Sequence, residues 1–224
     1  MDASKLSSIL SEYMATVPFV KKYCEDCLNV KRYGGNVVLM VVDASLVSLG
    51  INYFNVVVPK VLEFKRRFVD SNEITSLKDL SKYDLDELTV IWKNKRSWNV
   101  AKNISLYLSK LDEDDKRAIV KWARNSNVEG WKKDPIGKIR GVGINTYQYL
   151  RMMGGIDTVM PDKIVRRVFN EIFSECGMNV PKDDIEFIKK VEEIAKLTGY
   201  RAIELCWMTW FIHNDSAKIY ESIL

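Results

Sequence analysis

Residues 37–58 read VVLMVVDASLVSLGINYFNVVV, the longest apolar stretch in the chain. A stretch this apolar must leave water. It is about long enough to cross a bilayer, for which roughly 20 apolar residues suffice. Yet Asp43, Asn52 and Asn55 stand inside it, and such side chains are costly in hydrocarbon. The expectation is therefore a buried central helix or helix pair and no membrane partner. Asp43 is then buried too, and a buried carboxylate needs a partner.

The rest of the chain has a helical period. Leu6, Leu10, Tyr13 and Met14 share one face of a first helix. Val61, Leu62, Phe64 and Phe68 continue an apolar stripe, with Lys65, Arg66 and Arg67 between them as a solvated basic face. Residues 76–111 read as three short helices, with Ser76, Asp84 and Asn99 as N-caps. DEDDKRAIVKWARN crowds acids at its start, which suits the helix dipole. Strand-like alternation is confined to Ile156–Met160. The pattern predicts an all-α chain of about ten to twelve short helices. No Gly/Ser linker divides it, and 224 residues can form one large domain or two small ones.

Charge and cysteine content exclude little. Lys and Arg number 34 against 30 acids, a net +4 that permits a nucleic-acid partner without requiring one. Cys24 and Cys27 form a lone C-x-x-C, with Cys176 and Cys206 far away and one histidine, His213. A structural metal site would repeat the close pair or add histidines, so reduced thiols and no metal are expected. The N-terminal MDASKLSSILSEYM lacks the basic start and apolar core of a signal peptide, so a chain that is not secreted is expected.

The segment IGKIRGVGINTYQYLRMMGGIDTVMPDKIVRRVF, from Ile136 to Phe169, carries the chemistry. Ile136 and Ile139 lie one helical turn apart, then Gly141 and Gly143 bracket Val142. Glycine reaches positive φ and lets a backbone approach closely. Tyr147, Leu150 and Met153 then resume a helical stripe, which Gly154–Gly155 should end. Two short helices joined by a tight turn are expected, with the turn's N–H groups at a fresh helix N-terminus. That is a natural phosphate seat, and Lys138, Arg140 and Lys163 add charge nearby. A plain turn between two core helices has the same local pattern. Downstream, Pro161 and Asp162 open a helix whose apolar face is Ile164, Val165, Val168, Phe169 and Ile172. Asp162 suits an N-cap, and capping is compatible with chemistry.

IRGVGINTYQYL followed by VMPDKIVRRVF resembles the helix-hairpin-helix DNA glycosylase superfamily, the endonuclease III-like group. The likeness rests on Gly141-Val142-Gly143, on Asp162 about twenty residues later, and on Val165-Arg166-Arg167-Val168; with flanking helices it covers about residues 36–212. It implies two helical lobes with a cleft between them. One would be a six-helix barrel of residues 35–153 containing the helix-hairpin-helix at about 136–153. The other would combine 1–34 with 154–224, and Asp162 would stand at the cleft's mouth. It further implies excision of a damaged or mispaired base flipped out of duplex DNA, with Asp162 as the catalytic carboxylate. Arg140, Gly141, Val142, Gly143, Asn145, Thr146, Lys163 and Arg166 would contact DNA.

The departures are specific. Bifunctional members place a lysine where this chain has Asn145, and iron–sulfur members have a C-terminal four-cysteine cluster that is absent here. The resemblance therefore implies a monofunctional enzyme without cofactor, with Lys163 as the fallback nucleophile. Asp43, Asn52 and Trp207 are base-pocket candidates, each with a structural alternative: Asp43 as a hydrogen-bonder, the other two in the core. The implied partner is lesion-bearing or mismatched double-stranded DNA, bound by a monomer in the cytoplasm (on the nucleoid) or the nucleus. The alternatives are a non-catalytic helix-hairpin-helix DNA-binding protein and a helical protein-interaction domain.

Overall fold

In the computed structural model, which describes residues 3–47 and 52–213, the first half of the long apolar run forms a helix, α3 (Val37–Val47). Every residue from Val37 to Leu46 is buried, Asp43 included. A helix that is apolar all round belongs at the centre of a core, and α3 packs against α4 (Val58–Phe64), α5 (Leu77–Lys82), α7 (Lys95–Leu108), α8 (Asp115–Asn125) and α9 (Ile144–Met153). The single-turn α6 (Leu85–Leu88) packs on α7. Residues 48–51 of the apolar run, and the expected lobe ends at 1–2 and 214–224, lie outside the described residues.

The chain parts into two compact units, 29–156 and 1–28 with 157–224. The second unit also has an all-round apolar helix at its centre, α12 (Ala202–His213), with Ala202–Phe211 buried. It packs against α1 (Ala3–Ala15), α2 (Val20–Leu28), α10 (Lys163–Glu175) and α11 (Asp184–Thr198). Trp207 meets Tyr23 edge-on at 4.7 Å, and Phe19 meets Phe211 at 4.8 Å. These are geometries that aromatic quadrupoles favour. Twelve α-helices and no strand occur among the described residues. Residues 156–162, where alternation suggested a strand, run irregularly. No described helix is long and apolar enough to cross a membrane.

Three local features depart from the sequence pattern. Asn99 is not a cap but lies inside α7, which starts a turn earlier because the Asn94 side chain accepts from Arg96 N (2.9 Å) and Ser97 N (3.4 Å). Ser76 and Asp84 do cap α5 and α6. α4 is flanked by π-helical turns at Tyr53–Val57 and Lys65–Val69. The helix expected before Gly141 is a chain of turns. Its bonds alternate between three- and four-residue steps, such as Lys133 N to Gly130 O (2.8 Å) and Lys138 N to Asp134 O (2.9 Å). The Asp134 carboxylate takes Ile136 N at 2.8 Å, and Pro135 has no N–H to donate. A Cβ on Gly137 would lie 1.7 Å from Trp131 O, so only glycine lets these turns stack.

Candidate functional site

In the 29–156 unit, Gly141 and Gly143 have different jobs. Gly141 has φ +108°, and a Cβ there would meet Val100 Cγ2 at 2.8 Å. It is glycine for both conformation and space. Gly143 is extended (φ −104°, ψ 175°) and has open space where a Cβ would stand. It is the N-cap of α9 and offers no side-chain cap to the first turn. The leading N–H groups of α9 lack intrahelical partners, as in any helix, and Gly143 at their head is exposed. Arg140 and Lys138 are exposed beside them. α9 ends as expected, with Gly154 at its C-cap and Gly155 at φ +94°.

Not every residue around this turn is available to a ligand. Thr146, one of the expected DNA contacts, is 1% exposed, so its side chain lies in the core. Tyr147 is buried against Trp122 (5.5 Å). Asn145 is half-buried, and its Oδ1 has no hydrogen-bond partner. Val142 is half-buried.

The second expected site lies in the other unit. Asp162 caps α10: its Oδ1 accepts from Ile164 N (2.7 Å) and Val165 N (2.9 Å). Its Oδ2 is buried and takes no part in the cap; the group that faces it is the Trp210 indole. Burial pushes the carboxyl up to about 6, against the opposing pull of the two backbone N–H groups and the Trp210 indole. Cys206 is close enough that the Asp162 charge, after burial, raises its thiol further. Asp84, Asp114 and Asp183 are also caps, accepting N–H groups of their own first turns, but all three are exposed. Lys163 is exposed.

Arg166 is committed elsewhere. Its guanidinium donates to Pro161 O (3.2 Å), Pro181 O (2.7 Å), Lys182 O (3.4 Å) and Asp184 Oδ1 (2.6 Å), and it lies 4.4 Å from the Phe187 ring centroid. It pins the loop before α11. This replaces its assignment to DNA, because Arg has five N–H donors in a fixed fork and most of them are engaged here.

Of the base-pocket candidates, Asp43 and Asn52 belong to the 29–156 unit and Trp207 to the other. Asn52 is exposed and accepts Asn55 N at 3.0 Å, capping the first π turn. Trp207 is 1% exposed inside the other unit. Asp43 is wholly buried, and its Oδ2 gathers Tyr149 OH (2.7 Å), Tyr33 OH (2.8 Å), Tyr53 OH (3.0 Å) and Arg32 Nη2 (3.3 Å). Its Oδ1 has no partner. Burial raises the carboxyl, while Arg32 and the three hydroxyls pull it back. Of its two possible roles, the geometry matches the structural one. Arg32, Tyr33 and Tyr149 were not anticipated from sequence, although an aspartate in an apolar run already called for a partner. The loop that supplies Arg32 is strained: Val30 and Tyr33 have φ 54° and 52°, a conformation costing about 1–2 kcal/mol in a non-glycine residue.

The cysteines are free thiols; Cys24, Cys27 and Cys206 are buried, and Cys24 Sγ points at Ile203 O (3.5 Å). Also absent from the sequence reading was a cleft of about 550 Å³ lined by Arg96, Asn99, Asn103, Ile139 and Arg140. Its signal was present as polar residues on the α7 face opposite Trp98, Ala101, Ile104 and Leu108. Compared with known proteins, the chain matches no family model, no curated protein and no solved structure.

Proposed function

We propose that this chain is a monofunctional DNA glycosylase, which hydrolyses the N-glycosidic bond of a damaged or mispaired base turned out of duplex DNA. The hairpin holds backbone phosphate through the first N–H groups of α9, fixing register without reading sequence. Asp162 acts at the sugar. Cleavage of the glycosidic bond builds positive charge on the ring, and an ionised carboxylate stabilises it while orienting or deprotonating a water.

The observation that carries this reading is the division of labour within one carboxyl. Oδ1 is spent on the cap, while Oδ2 is buried, takes no part in the cap and has only the Trp210 indole to set against its burial. A cap requires only the first oxygen. A buried charge whose burial outweighs its compensating groups costs free energy, and such costs concentrate where a group has other work. The value near 6 leaves the carboxylate ionised at neutral pH and basic enough to take a proton from water. Asn145 cannot form a Schiff base. Lys163 is exposed, without the desolvation that makes a lysine nucleophilic. Both favour hydrolysis over lyase chemistry.

The test is a panel of duplexes, each carrying one lesion or mismatch, incubated with wild type and Asp162→Asn and read for abasic sites. Excision by wild type alone supports the proposal. Equal excision by both removes Asp162 from the mechanism. Duplex binding without excision of any lesion replaces the enzyme with a non-catalytic DNA-binding protein. Efficient borohydride cross-linking of Lys163 to abasic DNA contradicts the monofunctional assignment.

A further inference from the structure

Arg96, Asn99 and Asn103 recur along α7 at spacings of three and four, so they share one face. All three are exposed, while Trp98, Ala101, Ile104 and Leu108 are buried on the other side. Ile139 and Arg140 form the facing wall of the cleft. Arg96 Nε lies 3.2 Å from the point where a Cβ on Gly141 would stand. The cleft and the hairpin therefore adjoin within the 29–156 unit.

The lining has an unbalanced charge. No acid contributes to it, and among the described residues neither guanidinium has an ion-pair or hydrogen-bond partner. Two open guanidiniums and two carboxamides over an isoleucine match a ligand that is anionic and rich in acceptor oxygens. Arginine and asparagine are among the side chains that contact phosphate and sugar in nucleic-acid complexes. A neighbouring basic groove on α8 is less suited. It also carries Asp112, which Arg117 approaches at 3.9 Å, and Lys121 is turned onto Leu111 O at 3.1 Å.

We infer that the Arg96–Asn99–Asn103–Arg140 cleft is a second seat for the nucleic-acid backbone, continuing the track of the strand held at Gly143. This rests on the DNA-binding reading above. From Arg96 to Asn103 the stripe extends roughly 10 Å at 1.5 Å per residue. That exceeds the ~3.4 Å axial spacing of successive phosphates on one strand, so the stripe follows more than one nucleotide. The two residue types act differently. Each arginine that neutralises a phosphate releases counterions, whereas an asparagine donates hydrogen bonds without changing the ion balance.

The experiment measures binding of an undamaged duplex between about 50 and 200 mM salt, with thermal melts to confirm folding. The proteins are wild type, Arg96→Ala, Arg96→Lys, Arg140→Ala, Asn99→Ala/Asn103→Ala and, as a control on α8, Lys116→Ala/Arg124→Ala. The slope of log affinity against log salt should become shallower by about 0.9 in Arg96→Ala and in Arg140→Ala. Arg96→Lys should keep the wild-type slope, and the double asparagine variant should weaken binding at constant slope. The α8 control should match wild type. A wild-type slope in Arg96→Ala, or an equal loss in the α8 control, overturns the cleft while leaving the hairpin reading intact. Failure of wild type itself to bind at the lowest salt overturns both.

Discussion

Replacing Asp162 by asparagine should stabilise the protein at neutral pH, and the gain should vanish in acid. The carboxyl is raised from 3.8 to about 6, chiefly by burial. At about 1.4 kcal/mol per pH unit, the ionised form costs about 3 kcal/mol in the folded state. Asparagine keeps the cap, since its side-chain oxygen can accept Ile164 N and Val165 N as Oδ1 does. Its amide N–H₂ then replaces Oδ2 and faces the Trp210 indole, which offers a donor rather than an acceptor; that mismatch offsets about 1–2 kcal/mol. The net expectation at pH 8 is a gain of about 1–2 kcal/mol, roughly 2–8 °C for a chain of this size. Between about 4 and 6 the folded wild type binds more protons than the unfolded chain, so its stability falls as pH rises through that window. The variant lacks this dependence. Its advantage should therefore shrink on acidification and reach zero or reverse by about pH 4. Thermal or urea unfolding of both proteins at pH 4 and pH 8 reads the difference directly. An advantage that stays flat or grows on acidification would falsify the buried, raised carboxyl and with it the case that Oδ2 is held for chemistry.

Three other outcomes follow from separate parts of the structure. Gly141→Ala should lose about 2–3 kcal/mol of stability, because φ is +108° and Val100 stands in the way, whereas Gly143→Ala, a cap change without a clash, should lose about 1 kcal/mol or less and bind duplex more weakly. Equal effects in melts and in DNA titrations would refute the separate roles. Asp43→Asn should cost about 3–5 kcal/mol by leaving Arg32 buried without its counter-charge; an unchanged urea midpoint would show that the cluster is not a stabilising ion pair. Excision, once a substrate is known, should follow the ionised fraction of Asp162. The rate at pH 5 should be about a tenth of its plateau at pH 8, given a value near 6, and a rate independent of pH over that range would exclude an ionised Asp162.

What was legible in the sequence was whatever depends on local period. The apolar stripes of α1, α8 and α10 and the all-round apolar α3 follow from spacing alone. The chain of turns at 129–142 was not legible. Ile136 and Ile139 have helical spacing, yet Asp134, Pro135 and Gly137 break the ladder, and only Ile136 is buried. The choice of Asn94 over Asn99 as a cap is fixed from outside the local pattern too, with Trp98 Nε1 folding back onto Trp92 O at 2.7 Å. The Asp43 cluster joins Arg32 to Tyr149 across α3, π turn and α9. No window of sequence contains both ends of it. The cleft at Arg96 is an intermediate case: its stripe on α7 is local, but its facing wall at Ile139 and Arg140 is supplied by the fold.

The candidate site shows most clearly why type and spacing are insufficient. Asp84, Asp114, Asp162 and Asp183 each precede a helix, and each accepts N–H groups from its first turn. From sequence they are equivalent caps. Exposed carboxylates bond water with whatever acceptor sites remain, so three of the four incur no penalty beyond the cap itself. Asp162 differs only in where its helix starts, against the buried Trp210 and Cys206 of α12. An asparagine or serine would cap α10 about as well without placing a charge there. A carboxylate kept at that spot lowers stability at neutral pH, so a role confined to capping leaves its choice without a physical reason. Chemistry at a developing positive charge provides one, and it requires the same features that make the residue expensive: low dielectric, a fixed orientation and an acceptor oxygen not used by the cap.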